Sequence, residues 1–361
     1  MVQIEGFSQV LNQILSDRNI SKEALVSALE AALSSAAKKK YHLENEQVRT
    51  KIEEDGSYKI FALKKVVPAP TNQYAEISLK EAKKIQPDID LEGTLEIEIT
   101  EKDFGRIAAQ TAKQVIIQRI REAEKNKTLE EFTAKKGELV TGTIQRKEFN
   151  GFLVNLGRLE SILTVSELAR GEYYRIGEKI KVYVVDVQNS SRGPVVYISR
   201  AHPGMIKKLF EMEIPEIQQG VLEIKGIARE AGRRSKVAVL SHDPNVTAVG
   251  TCVGHMGNRI QNILREIGNE RIDIIEWKED PKAFIVNALS PAKISAVKLN
   301  PEDNSAKIIV PEDQLSLAIG KEGQNVRLAS KLTGWKIDII NEKNELSGDS
   351  KEVKADESKA E

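Results

Sequence analysis

The 361-residue sequence predicts a multidomain α+β protein. Three observations lead to this fold class. Residues 1–130 alternate between helical and strand-like apolar patterns. Residues 137–202 contain five short strand patterns in close succession. The last third contains two copies of one mixed helix and strand pattern, at 251–277 and 317–340.

The first unit, residues 1–130, combines helices with strands. Ser21 can cap a helix whose leucines recur at helical spacing, and strand patterns begin at Tyr58 and Thr94. A helix of about 24 residues is predicted over 104–127, with apolar residues on one face and basic residues on another. This pattern indicates an α+β domain that ends in a connecting helix.

Residues 137–202 predict a small β-barrel. Turns with glycine or Asn-Gly separate several of the apolar runs, and the strand patterns are short and evenly spaced. The five patterns begin at Leu139, Gly151, Ser161, Lys179 and Pro194. Five such strands are typical of the OB-fold, which binds oligonucleotides.

The two repeated segments share their glycines. Gly254 aligns with Gly320 and Gly257 with Gly323, and both copies end in the strand IDII. Each copy has a G-x-x-G loop, an amphipathic helix, a glycine and a strand, which is the core of a KH domain. A preceding helix and two strand patterns give the bacterial (type II) order.

These patterns divide the chain into consecutive domains. The predicted domains are an N-terminal unit (1–130), an OB-fold (137–202), a first KH domain (204–277), a second KH domain (278–340) and a disordered acidic tail (341–361).

A G-x-x-G loop lets backbone N–H groups approach a sugar-phosphate chain without a Cβ in the way. The following helix presents its positive N-terminus to phosphate. Close helix packing could explain one glycine pair, but two copies in the same context favour RNA binding. The candidate RNA-binding residues of the loops and helices are Gly254, His255, Met256, Gly257, Arg259, Gly320, Lys321, Glu322, Gly323 and Arg327.

Further candidates lie outside the loops. The segment between two strands of the first KH domain offers Arg233, Arg234 and Lys236 as phosphate contacts, although a solvated turn is the alternative. Phe149 and Phe152 flank the Asn-Gly turn of the barrel. Because strand residues alternate faces, we expect one ring in the core and the other available for base stacking.

No catalytic, cofactor or metal site is predicted. Cys252 and His255 are three residues apart, but there is no second cysteine to complete a zinc site, and the thiol lies on an apolar turn. No Walker phosphate loop is present at Gly320. The single cysteine also excludes an intramolecular disulfide.

The composition is that of a soluble, folded protein. The chain has 54 basic and 54 acidic residues, so bulk charge does not explain nucleic-acid binding. We see no signal peptide and no run long enough to span a membrane, and expect a cytoplasmic protein without cofactors.

Three stretches resemble the bacterial NusA family of transcription termination/antitermination factors. They are 104–124 (FGRIAAQTAKQVIIQRIREAE), 226–239 (GIAREAGRRSKVAV) and 319–339 (IGKEGQNVRLASKLTGWKIDI). The resemblance implies that residues 1–130 bind core RNA polymerase and that the OB and KH domains bind single-stranded nascent RNA. It also implies action on pausing, termination and antitermination together with other Nus factors, as a monomer.

The sequence departs from the family pattern at Met256, where members usually carry a basic residue. The resemblance therefore implies that the first loop lacks a charge-assisted phosphate contact. The acidic repeats that follow the second KH domain in some members are not found, which implies that autoinhibition by them is missing. The alternative functions are an RNA-processing enzyme or a ribosome-associated RNA-binding protein with KH and OB modules.

Overall fold

The structure is a computed structural model, and it describes residues 2–3, 22–43, 48–53, 57–101, 104–268 and 270–343. The chain divides into two compact units, residues 1–128 and 129–361. The predicted cap Ser21 and most of the predicted acidic tail (344–361) lie outside the described residues. No helix in the described ranges is long and apolar enough to cross a membrane.

The first unit packs helices on a sheet whose centre is one long strand. Its described elements are β1 (Val2–Gln3), α1 (Lys22–Tyr41), β2 (Val48–Ile52), β3 (Ser57–Val67), β4 (Glu76–Ser78), α2 (Leu79–Ile85), β5 (Thr94–Glu98) and α3 (Gly105–Ala134). Strand β3 pairs with β1, β2 and β5 antiparallel and with β4 parallel.

The predicted elements of this unit are confirmed. Leu25, Leu29 and Leu33 of α1 are fully buried against Tyr58 and Ile60 of β3, as the helical and alternating patterns require. The long helix α3 continues seven residues beyond the predicted end at 127, because no glycine or proline interrupts it before Ala134.

A five-stranded barrel sheet follows α3. Its strands are β6 (Leu139–Glu148), β7 (Gly151–Asn155), β8 (Glu160–Thr164), β9 (Lys179–Ser190) and β10 (Gly193–Ser199). The hydrogen-bonded order is β10-β9-β6-β7-β8. The outer strands approach each other where the Ser161 hydroxyl donates to the Val196 carbonyl, so the sheet is nearly closed. The predicted OB barrel is confirmed.

The first KH domain follows the barrel with the order α-β-β-α-α-β. Its main elements are α4 (Pro203–Glu213), a short α5 (Pro215–Gln218), β11 (Leu222–Glu230), β12 (Arg234–Ser241), α6 (Ala248–Val253), α7 (Asn258–Ile267) and β13 (Arg271–Glu276). Strand β12 pairs antiparallel with β11 and parallel with β13. The helices cover one face of this sheet around Phe210 and Ile263.

The second KH domain repeats this order. Its elements are α8 (Pro281–Ala288), β14 (Ala296–Asn300), β15 (Ser305–Val310), α9 (Glu312–Ile319), α10 (Gln324–Thr333) and β16 (Lys336–Asn341). Strand β15 pairs antiparallel with β14 and parallel with β16. Both predicted G-x-x-G loops therefore connect two helices on one face of a sheet.

Candidate nucleic-acid interface

The two G-x-x-G loops have nearly the same backbone. Gly254 and Gly320 have φ/ψ of 77°/175° and 76°/171°. The third loop residue is left-handed in both copies, with φ of 50° at Met256 and 56° at Glu322. In both loops the N–H of the second glycine donates to the carbonyl of the first, at 3.1 and 3.2 Å. The repeated sequence pattern therefore produces the same loop conformation in both KH domains.

The first position of each loop requires glycine for two reasons: its φ is positive, and there is no room for a Cβ. A Cβ on Gly254 would lie 2.8 Å from the Arg259 Cγ, and a Cβ on Gly320 would lie 2.8 Å from the backbone nitrogen of Asn325. A side chain would collide with the first turn of the following helix. The loop can thus lie flat on α7 or α10, beside the helix N-terminus that favours phosphate.

A side chain two residues after each loop holds the preceding helix. Arg259 donates through Nη1 to the Thr251 carbonyl at 2.9 Å and pairs with Glu216. At the equivalent position, Asn325 Nδ2 donates to the Leu317 carbonyl at 3.3 Å and to two further carbonyls. Both side chains bond the carbonyl three residues before the first glycine. Arg259 is therefore engaged in fixing its loop.

The second loop is tied to the first KH domain. Glu322 Oε2 accepts a hydrogen bond from Arg233 Nη1 at 3.0 Å, across the two domains. The ammonium of Lys321 is exposed and makes no ion pair with a described carboxylate. Because Arg233 compensates Glu322, the charge that this loop presents is the charge of Lys321.

Glu230 makes a second bridge between the KH domains. It accepts from Arg327 Nε at 2.7 Å and from Gln324 Nε2 at 2.7 Å. Burial opposes ionisation of Glu230, but the hydrogen bonds from Arg327 and Gln324 outweigh it and lower its pKa. The α10 helix that follows the second loop is thereby fastened to strand β11 of the first domain.

The hairpin between β11 and β12 is held by a buried ion pair. The side chains of Arg229 and Glu270 are 1% and 0% exposed, and the Glu270 carboxylate also accepts from the Gly232 N–H and the Ser235 hydroxyl. This pair fixes the turn that carries Arg233.

The three predicted cations of the hairpin have different surroundings. Arg233 is partly exposed beside the second loop, whereas Arg234 forms two hydrogen bonds to Asp273. The Lys236 side chain is fully buried, and its Nζ donates to Asp273 and to the Ser290 carbonyl. Burial lowers the Lys236 pKa although Asp273 opposes this effect. Lys236 thus joins the two KH domains and has no open path to a phosphate.

The two phenylalanines near the β6–β7 turn differ in exposure. Phe152 is 5% exposed in the barrel core, whereas Phe149 is fully exposed at the β6–β7 turn. Phe149 belongs to the turn between β6 and β7, whereas Phe152 lies within β7, whose residues 151–154 are all buried. Phe149 therefore has a free ring face on which a base can stack.

The two residues considered as a catalytic pair, Cys252 and His255, have different surroundings. Cys252 is fully buried, and burial raises the pKa of its thiol to about 12, so it is a poor nucleophile. His255 is exposed in the loop. Across the described ranges, no group of three or more His, Cys, Asp or Glu residues could hold a metal ion.

Sequence reasoning missed three polar residues that hold the hairpin and the second loop in place, of which Glu230 bonds across the two KH domains. Glu230, Glu270 and Asn325 are polar residues on elements whose neighbours in space come from distant parts of the sequence. A polar residue at a buried position of an amphipathic helix was the available signal for Asn325, which lies one residue before the apolar Val326.

Family profiles match the whole described architecture. They are the NusA N-terminal domain (6–126), the S1 RNA binding domain (133–199), the NusA-like first KH domain (200–277) and the NusA-like second KH domain (281–347). The fold and its loops define a modular protein that combines S1 and KH RNA-binding domains.

Curated relatives identify the family. The chain is 47% identical to the transcription termination/antitermination protein NusA of Halalkalibacterium halodurans, over 93% of this chain and 88% of that protein. It is 49% identical to the Bacillus subtilis protein of that name, over 90% and 88%. The corresponding identity for Thermus thermophilus is 41%, over 94% and 90%. The chain belongs to the NusA family of transcription termination/antitermination proteins.

One solved structure covers part of the chain. The solution structure of the N-terminal domain of NusA from B. subtilis is 46% identical and covers 33% of this chain and 95% of its own, with a TM-score of 0.27.

Proposed function

We propose that this chain is a non-enzymatic elongation factor that binds RNA polymerase through residues 1–130 and single-stranded nascent RNA through its S1 and KH domains. In this function it modulates pausing, termination and antitermination, acts with other Nus factors, and works as a cytoplasmic monomer. The observation that carries the proposal is the pair of G-x-x-G loops with the same backbone, each at the N-terminus of a ten-residue helix.

In the proposed RNA surface the two loops act differently. Lys321 supplies a cation in the second loop, and Arg233 stands beside it. In the first loop, His255 and Met256 are exposed without a permanent charge, so RNA binds there through backbone N–H groups and shape. Phe149 adds a stacking surface on the barrel.

The remaining basic candidates form ion pairs within the protein and so hold the loop helices and the hairpin in place. They are Arg259, Arg327, Arg234 and Lys236. Arg259 and Arg327 hold the ends of the loop helices through Glu216 and Glu230. Arg234 stands next to Lys236, and both bind Asp273. Lys236 is not one of the proposed phosphate contacts, because its ammonium is buried.

The test of the RNA surface changes Lys321 and Glu322 of the full chain to Asp. The substitutions replace the free cation by a carboxylate, so RNA affinity should fall and the salt dependence should decrease. A lost phosphate contact lowers the slope of log affinity against log salt by about 0.7 for a single strand. Fluorescence anisotropy with single-stranded RNA at several salt concentrations measures both quantities.

A matched control is Lys282→Asp, which removes an exposed lysine at the start of α8. It should keep the affinity and the slope of the unaltered protein. Unchanged affinity of the Lys321/Glu322 variant, with its circular dichroism intact, would refute the role of the second loop.

The polymerase contact is tested by a pull-down with core RNA polymerase. The full chain should be retained, and a folded fragment of residues 1–130 should compete with it. Retention that the fragment cannot reduce would refute the assignment of the first unit.

A further inference from the structure

A cleft of about 400 Å³ lies where the barrel meets the first KH domain. One wall is the connection between β8 and β9, residues 170–180, and the other is the C-terminal end of α7, residues 265–268. Small-molecule sites have volumes of about 300–1,000 Å³. The cleft is separate from both G-x-x-G loops, which lie at the N-terminal ends of their helices.

The cleft is built around a buried ion-pair cluster. Arg200 is 3% exposed; its Nε and Nη2 donate to Glu172 Oε1 at 2.9 and 2.7 Å, and its Nη1 donates to Glu266 Oε1 at 3.2 Å. These contacts join the barrel to α7 and so fix the two walls. Lys181 Nζ lies 3.4 Å from the second oxygen of Glu266, so Arg200 and Lys181 together compensate the two carboxylates, which therefore repel an anion only weakly.

Three further cations line the cleft. Arg170, Lys179 and Arg265 are exposed, and none of them forms an ion pair with a carboxylate in the part of the chain that the structure describes. Glu178 is the opposing charge, and its carboxylate accepts the Arg175 N–H. Three available cations against one carboxylate make the cleft attractive to a phosphate.

An aromatic ring stands at the same cleft. Tyr173 is 70% exposed, yet its ring is held by the edge of Phe152, with centroids 6.3 Å apart, and by the Lys147 Nζ at 5.6 Å from its centroid. A ring that is fixed in place and still open to solvent is suited to stacking on a base.

The hairpin between β11 and β12 contacts both the cleft and the second KH loop. The Arg170 N–H donates to the Ala231 carbonyl at 3.2 Å, and a Cβ on Gly232 would lie 2.3 Å from the Arg170 carbonyl oxygen. The next residue of that hairpin, Arg233, bonds Glu322 of the second loop. A strand bound at this loop can therefore continue along the hairpin towards the cleft.

We propose that this cleft binds one unpaired nucleotide of the RNA strand, with the base stacked on Tyr173 and a phosphate held by Arg170, Lys179 and Arg265. The proposal rests on the RNA-binding function proposed above. It adds a nucleotide site at the junction of the barrel and the first KH domain.

The test uses the full chain and a pool of random-sequence RNA 16-mers, a length at the upper end of the site sizes of about 4–16 nucleotides known for single-strand binders. Tyr173→Ala should weaken binding about tenfold, whereas Tyr173→Phe, which keeps a stacking ring, should stay within about twofold. Tyr197→Ala, an exposed barrel tyrosine outside the cleft, is the matched control and should leave the affinity unchanged. With 5-iodouridine in the pool, irradiation should crosslink RNA to the peptide that contains Tyr173.

The outcomes separate this site from the general function. If Tyr173→Ala and Lys179→Ala/Arg265→Ala bind RNA normally while the Lys321/Glu322 variant does not, the cleft proposal is overturned and the RNA surface stands. If the unaltered protein binds no member of the pool, both proposals fail. If free uridine monophosphate binds and Tyr173→Ala abolishes only that binding, the site takes a free nucleotide and the proposed strand contact is wrong.

Discussion

Removal of the Glu270 carboxylate should disturb the proposed RNA surface, although Glu270 itself is buried and is not part of that surface. Its carboxylate has no exposure and compensates the guanidinium of Arg229, which is 1% exposed. Glu270→Ala leaves that charge buried with one remaining hydrogen bond, to the His202 carbonyl. Breaking a buried pair by removing one partner costs about 3–5 kcal/mol. It also frees the Gly232 N–H, so the turn that carries Arg233 should loosen.

The chain offers a local probe for this measurement. It contains two tryptophans, Trp277 at the end of the first KH domain and Trp335 in the second. In a Trp335→Phe background, the emission of Trp277 reports denaturant unfolding of the first KH domain within the full chain. Glu270→Ala should lower its free energy of unfolding by about 3–5 kcal/mol.

Two further variants test the physical reason. Glu223→Ala in the same sheet removes a carboxylate that is 45% exposed and pairs with Lys225, so it should lower the free energy of unfolding far less than Glu270→Ala does. Arg229→Met combined with Glu270→Leu replaces the pair by apolar side chains and should recover most of the lost stability. A loss below about 1 kcal/mol for Glu270→Ala, or a double variant as unstable as the single one, would refute the reasoning.

Three other predictions concern groups in and around the surface. Because the pKa of Glu230 is lowered in the folded state, its stabilising effect is fully present above the ordinary value of 4.5 and is lost as the pH falls through the folded pKa. The difference in urea midpoint between the unaltered protein and Glu230→Gln should therefore vanish in acid, and a constant difference would contradict the bridge. Phe152→Ala should destabilise the barrel by about 3–5 kcal/mol, whereas Phe149→Ala should weaken RNA binding at unchanged stability; the opposite order in thermal unfolding would reverse their assignment. The thiol of Cys252, with its pKa raised to about 12, should react with iodoacetamide at pH 8 only after unfolding; rapid labelling of the native protein would show that it is accessible.

Most of the fold could be predicted from local sequence patterns. The five strands of the barrel and the repeated glycines could be predicted because turn residues and apolar periodicity act over a few residues. One of Phe149 and Phe152 was expected in the core, and Phe152 is buried there; Phe149 is exposed because it lies in the turn between β6 and β7. The end of α3 was placed too early, at 127; the helix runs to Ala134, just before the first glycine that follows it, Gly137.

The site was harder to predict, because a sequence shows which residues are charged but not which of them are paired or buried in the fold. Arg233, Arg234 and Lys236 look equivalent as a basic run. Arg233 precedes β12, whereas Arg234 and Lys236 lie on one face of it and both bond Asp273 of β13, which lies opposite Lys236 in the register. Arg233 remains beside the second loop, Arg234 is paired with Asp273, and Lys236 is buried.

Glu322 has a different role in the structure from the one that its place in the sequence suggests. In the sequence it is an acidic residue inside a loop expected to bind phosphate, and it should weaken such binding. In the structure its carboxylate is compensated by Arg233, a residue 89 positions earlier that the buried Arg229–Glu270 pair holds in place. The difference in charge between the two loops therefore depends on the packing of the first KH domain against the second. Lys321 is effective as a free cation only while that hairpin is intact, which is why a substitution at Glu270 should reach the RNA surface.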